Sequence, residues 1–129
     1  MDQDLQHLKI LSTFHYIVGG LSALFACFPI LHLCIGMAML TGAIDDAPAF
    51  IGLSFVIIPA FMIIMGWIFA ICLIIAGRNL AKQESYMFCL VIAAISCAFF
   101  PFGTTLGVFT IIVLMRPSVK ELFEVNKTA

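Results

Sequence analysis

Four apolar stretches separated by short polar breaks organise the chain, at about 14–40, 50–76, 83–100 and 104–116. Runs of this kind predict helices that use lipid as their solvent, because a membrane-crossing helix needs roughly 20 mostly apolar residues. The expected fold is all-α: residues 1–129 form a single four-helix transmembrane domain, a polytopic membrane protein of two hairpins. Residues 2–9 are polar, but Leu5 and Leu8, continued by Leu11, fall at helical spacing. That predicts a segment lying along the interface before the chain turns inward.

Punctuation refines the pattern. The first stretch exceeds the length a bilayer requires, so tilt, a kink at Pro29 or a protruding end absorbs the excess. Pro59 predicts a second kink, since it lacks an N–H and its ring clashes with the preceding turn. Gly77, Arg78 and Asn79 read as a helix stop, with glycine just past the helix and a cation near its negative end. The strictly apolar cores of the last two stretches, 86–100 and 104–115, would cover only about 18 to 22 Å at 1.5 Å per residue. Two readings of that shortness stay open. In the preferred one, Pro101-Phe102-Gly103 is a tight turn, both helices extend into 81–85 and toward Arg116, and Arg116 snorkels. In the other, the pair is a re-entrant hairpin that stops inside the membrane.

Beyond Arg116, Pro117 suits a helix start. Residues 117–125 place Val119, Leu122 and Phe123 on one face and Lys120, Glu121 and Glu124 on the others. A short C-terminal amphipathic interfacial helix resting on the cytoplasmic leaflet is expected. A signal peptide is disfavoured, because the first apolar run is too long and no small-residue cleavage site ends it. The halves share no residue-level repeat.

Composition leads to the same class. Apolar residues make up 64% of the chain and charged residues 10%, against about a quarter charged in soluble domains. All six basic residues fall on one side of the zigzag. Lys9 precedes the first stretch, Arg78 and Lys82 lie between the second and third, and Arg116, Lys120 and Lys127 follow the fourth. The loop at 41–49 carries Asp45 and Asp46 and no cation. This asymmetry predicts a multi-pass protein of the inner (plasma) membrane with both termini cytoplasmic and the basic side chains at the membrane interface. No basic patch is large enough to neutralise several phosphates, so nucleic acid is excluded as a partner.

Close helix approach in lipid depends on small side chains. The candidates are Gly19, Ala23 and Ala26 in the first span, Gly66 and Ala70 in the second, Ala94 and Ala98 in the third, and Gly103 and Gly107 in the fourth. No Asp, Glu, Lys or Arg lies within 14–40, 50–76 or the strictly apolar cores 86–100 and 104–115, which removes the usual marks of proton pumps and ion-coupled carriers. His15 and His32 are weak metal candidates, about 25 Å apart along a straight helix and so unable to share one ion. Haem needs opposed ligands at matching depth, and no other span holds a histidine; only His32 paired with its own copy could supply them. Cys27, Cys34, Cys72, Cys89 and Cys97 form no CxxC pair and read as small apolar residues, with acylation of Cys89 not expected. Asp45 and Asp46 are explained by turn chemistry or helix capping. No nucleophile–base grouping, HExxH or nucleotide loop is present, so no enzyme and no cofactor is expected.

Pro101-Phe102-Gly103-Thr104-Thr105-Leu106-Gly107, followed by Thr110, Val113-Leu114, Arg116-Pro117 and Val119-Lys120 up to Phe123, resembles the P-x-G-T-x-L-G ending of small four-helix bacterial inner-membrane proteins of uncharacterised function. The resemblance covers about a quarter of the chain. It implies a bacterial inner membrane and carries over no catalytic residue. In physical terms proline and glycine reverse the chain, Thr104 or Thr105 caps the new helix, and Gly107 lets the last two helices touch. The favoured function is a non-enzymatic accessory, assembly or scaffold subunit. It would act through helix packing in the lipid bilayer, as a homo-oligomer or in a larger membrane complex. The alternative is an oligomeric small-solute or ion channel; a haem or metal-binding redox subunit is more remote.

Overall fold

A computed structural model of the chain describes residues 2–44, 46–99 and 101–128. Asp45 and Phe100, and with them the expected role of Asp45 in its turn, lie outside the described residues. Six helices follow one another: α1 (Asp2–Cys27), α2 (Ile30–Leu40), α3 (Ala49–Lys82), α4 (Tyr86–Ser96), α5 (Phe102–Leu114) and α6 (Pro117–Thr128), with no strand among the described residues. The chain divides into two compact units, Met1–Gly19 with Ile71–Ala129, and Gly20–Ala70. All six basic residues fall in the first unit.

Two stretches, Asp2–Leu40 and Ala49–Lys82, are long and apolar enough to cross a membrane. A third candidate arises only if α5 and α6, bent by 77° at their junction, count as one span. Among the described residues the helices supply two or three candidate spans against the four expected. Only 11% and 17% of the most apolar windows of the two long stretches are buried inside the protein. Their remaining apolar surface requires an apolar surrounding.

The N-terminal segment does not form a separate interfacial piece. α1 runs without a break from Asp2 because Leu8, Leu11, Ser12 and His15 continue one buried stripe along it. Pro29 interrupts the helix: without an N–H it cannot donate to the Phe25 carbonyl, and the Phe28 N–H takes that carbonyl at 3.1 Å in a tighter turn. α3, by contrast, continues through Pro59.

α3 also continues past Gly77. Leu73, Ala76 and Leu80 are fully buried on one face, and that packing carries the helix five residues beyond the expected stop. It ends at Lys82 in a Schellman arrangement. The Glu84 N–H donates to the Asn79 carbonyl at 2.9 Å and the Gln83 N–H to that of Leu80 at 3.3 Å. Gln83 (φ 57°) and Ser85 (φ 52°) hold the left-handed conformations that reverse the chain into α4. Residues 81–85 are thus spent on α3 and its cap, so α4 does not extend backwards as preferred from the sequence. With 11 and 13 residues, α4 and α5 are about 16 and 20 Å long.

In the first unit the core gathers Leu8, Leu11, Leu80, Cys89, Leu106, Val113, Leu114, Val119 and Phe123. α6 supplies Val119 and Phe123, both buried, and Leu122 packs against them. Val119 and Phe123 are therefore covered by protein. The sequence shows the face correctly but not what covers it.

Candidate functional site

Among the described residues the features that stand out are the seams between helices and the few polar groups that hold them. In the first unit, α3 meets α1 at Gly77. A side-chain carbon there would lie 3.0 Å from Cβ of His15 and 3.1 Å from the Ser12 carbonyl. The Ser12 hydroxyl donates to the Gly77 carbonyl at 2.6 Å. Gly77 is thus a contact residue. The sequence reading missed this because a glycine near a basic residue imitates a helix end.

α4 and α5 touch through Cys89, Ile92, Ala93 and Ser96 on one side and Gly103, Leu106, Gly107 and Thr110 on the other, all buried. A carbon added at Gly103 would lie 2.5 Å from the Ser96 carbonyl, and one at Gly107 would collide with the Ala93 carbonyl and Sγ of Cys97. Ala94 and Ala98, expected at a seam, are exposed; the i, i+3, i+4, i+7 stripe of α4 starts at Cys89 and selects Ala93 instead. Neither threonine caps α5. Thr104 Oγ1 donates to the Cys97 carbonyl at 2.7 Å and ties the turn, Thr105 donates to the Pro101 carbonyl, and Pro101 stands at the cap with no side-chain bond. Tyr86 Oη donates to the Leu114 carbonyl at 2.9 Å, so the first residue of α4 satisfies an open carbonyl at the end of α5.

In the second unit, Gly66 lies against Ala26, where an added carbon would be 2.7 Å from the Ala26 Cβ. Gly36 lies against the Phe55 carbonyl group at 2.7 to 2.8 Å by the same measure. That contact has a cause four residues on. Pro59 has no N–H to give the Phe55 carbonyl, which leaves this stretch of backbone open to the glycine of α2. Of the other expected packing residues, Gly19 and Ala70 are buried and Ala23 is half-buried.

The spans' hydroxyls are used locally. Ser54, Ser96 and Thr110 each donate to the carbonyl four residues back, on Phe50, Ile92 and Leu106. His15 donates from Nδ1 to the Leu11 carbonyl at 2.9 Å, and its Nε2 is buried without a partner. Cys89 is fully buried against the Ala76 carbonyl, closed to acylation. His15 and His32 fall in different units. Among the described residues no three His, Cys, Asp or Glu side chains are grouped to hold a metal.

Polar contacts outside the apolar segments fasten the ends of the chain. Arg116 pairs with Asp4 at 3.4 Å and donates to Nδ1 of His7 at 3.3 Å. Lys9, Arg78, Lys82, Lys120 and Lys127 are exposed. Asn126 donates to the Lys82 carbonyl, beside a groove lined by Gln83, Tyr86, Phe88, Lys120, Phe123 and Lys127. A hydrogen bond from Ser118, against opposing desolvation and reinforced by Arg116, holds the Asp4 carboxyl below its ordinary value of 3.8. A lowered folded-state pKa stabilises the fold above 3.8, and that contribution is lost as pH falls through the lowered value. Spin labels at Gln6→Cys and Glu121→Cys are expected to show a narrow distance distribution at neutral pH that broadens below that range. Asp4→Asn should be broadened already at neutral pH and respond no further.

Comparison with protein-family models, with curated proteins and with solved structures finds no match to the chain.

Proposed function

We propose that this chain is a non-enzymatic accessory or assembly subunit of the inner membrane, whose product is a packed helical surface offered to copies of itself or to a larger membrane complex. In this reading α1–α2 and α3 cross the bilayer. α4 and α5, too short for a crossing of roughly 30 Å, enter and leave on one side as a hairpin backed by protein. α6 closes the cytoplasmic surface, and both termini and all six cations stay on that side.

The observation that carries the reading is the fate of the polar side chains in the apolar segments. Ser54, Ser96 and Thr110 donate to their own helices, no charged side chain lies within 14–40, 50–76, 86–100 or 104–115, and glycines bring the backbones together at the seams. Such an interior supports packing and offers no lined path for an ion or solute.

Two measurements on purified protein test the proposal. Native mass spectrometry from mild detergent is expected to show a multimer or a co-purifying membrane protein, and a bare monomer would contradict it. Liposomes holding only this chain should pass no solute. Flux abolished by bulky replacements at Thr104 or Gly107 would make it a channel.

A further inference from the structure

His32 is a polar side chain of the first apolar stretch whose ring makes aromatic contacts only. It lies in α2, eight residues before the helix ends at Leu40, which is about 12 Å along the axis. Its ring is exposed. One face stacks on Phe55 of α3, with centroids 6.2 Å apart and planes at 25°, and Phe28 tilts against it at 6.0 Å. Its sequence neighbours Leu31 and Ile35 are exposed and apolar. Among the described residues neither ring nitrogen has a hydrogen-bond partner.

A donor and an acceptor left in hydrocarbon are each costly. Acyl chains supply neither, so the partner must be another polar group held at the same depth. We propose that the surface of α2 and α3 around His32 is a self-association site, and that His32 of a second copy covers it.

The choice of occupant follows from the imidazole itself. A neutral ring carries one N–H donor and one bare nitrogen, so it complements its own copy. A two-fold axis brings the same residue of both chains together at matching depth. One N–H···N bond across the axis halves the number of unpaired ring nitrogens. The flanking Phe28 and Phe55 rings supply rigid apolar walls that keep lipid out of the contact. This inference rests on the assembly reading above and names the surface through which it operates.

The test is self-association of full-length protein in bilayers, read by energy transfer between donor- and acceptor-labelled copies as lipid dilutes them. Wild type is expected to dimerise. His32→Phe should raise the dissociation constant about tenfold, in the range of one interhelical hydrogen bond. His32→Gln, whose amide both donates and accepts, should keep most of the affinity. Helicity should be the same for all three. A second readout is disulfide capture: in a cysteine-free background Ile35→Cys should cross-link between copies and Phe109→Cys should not. A monomeric wild type, or a dimer that His32→Phe leaves as tight, overturns the inference. The second of those results leaves the accessory role intact, whereas solute flux would overturn that role.

Discussion

Gly107→Leu is expected to unseat the hairpin of α4 and α5 and to lower the stability of the unit that contains it by about 3 kcal/mol, the upper end of the usual cost of overpacking. At this position even a single carbon collides with the Ala93 carbonyl and lies 2.6 Å from Sγ of Cys97. The carbonyl belongs to a helix and cannot swing aside as a side chain would. Relief must come from separating the helices, which would also pull Tyr86 away from the Leu114 carbonyl. Reversible unfolding in micelles or bilayers checks this, with Phe109→Leu as a control. Phe109 is exposed, and its replacement should stay within about 0.5 kcal/mol of wild type.

Gly36→Leu should cost about 2 to 3 kcal/mol by the same mechanism in the other unit. The milder Gly36→Ala is more telling. Helix propensity alone makes alanine more favourable than glycine by about 1 kcal/mol. The Phe55 backbone, 2.7 Å from the place of the new carbon, opposes that gain. Destabilisation by alanine would mean that contact prevails over propensity. Hydrogen exchange separates the two sites: loss of protection should concentrate in residues 20–70 for the Gly36 variants and in 86–114 for Gly107→Leu.

Much of this was legible in the residues. The two long apolar stretches follow from run length, and Pro29 marks a break through its missing N–H, although the same loss at Pro59 leaves α3 continuous. Gly107 was legible because chain reversal at Pro101 forces its helix to run beside the preceding one. The failures share a cause. A glycine serves a helix end and a close contact equally well, and at Gly77 only the buried face of Leu73, Ala76 and Leu80 decides for contact. Spacing of small residues picked Ala94 and Ala98, but spacing carries no phase. The phase of α4 is set by packing, Cys89 against the Ala76 carbonyl of α3 and Ser96 against Gly103 of α5. α6 shows the same limit: Val119 and Phe123 announce an apolar face, and only the fold reveals Leu8, Leu11 and Leu80 in the same core. Gly36 gave no signal because its partner is a carbonyl made available by Pro59, on a different helix.

The path of the chain through the bilayer is what everything else depends on, and single cysteines in a cysteine-free background read it directly. An impermeant thiol reagent applied from outside to intact cells should label Thr41→Cys at once. Glu84→Cys and Lys127→Cys should react only after the membrane is permeabilised. Labelling of either of the latter two from outside, or a protein that leaves the membrane fraction under alkaline washing, would contradict the proposed path, two crossings with the cations on one side.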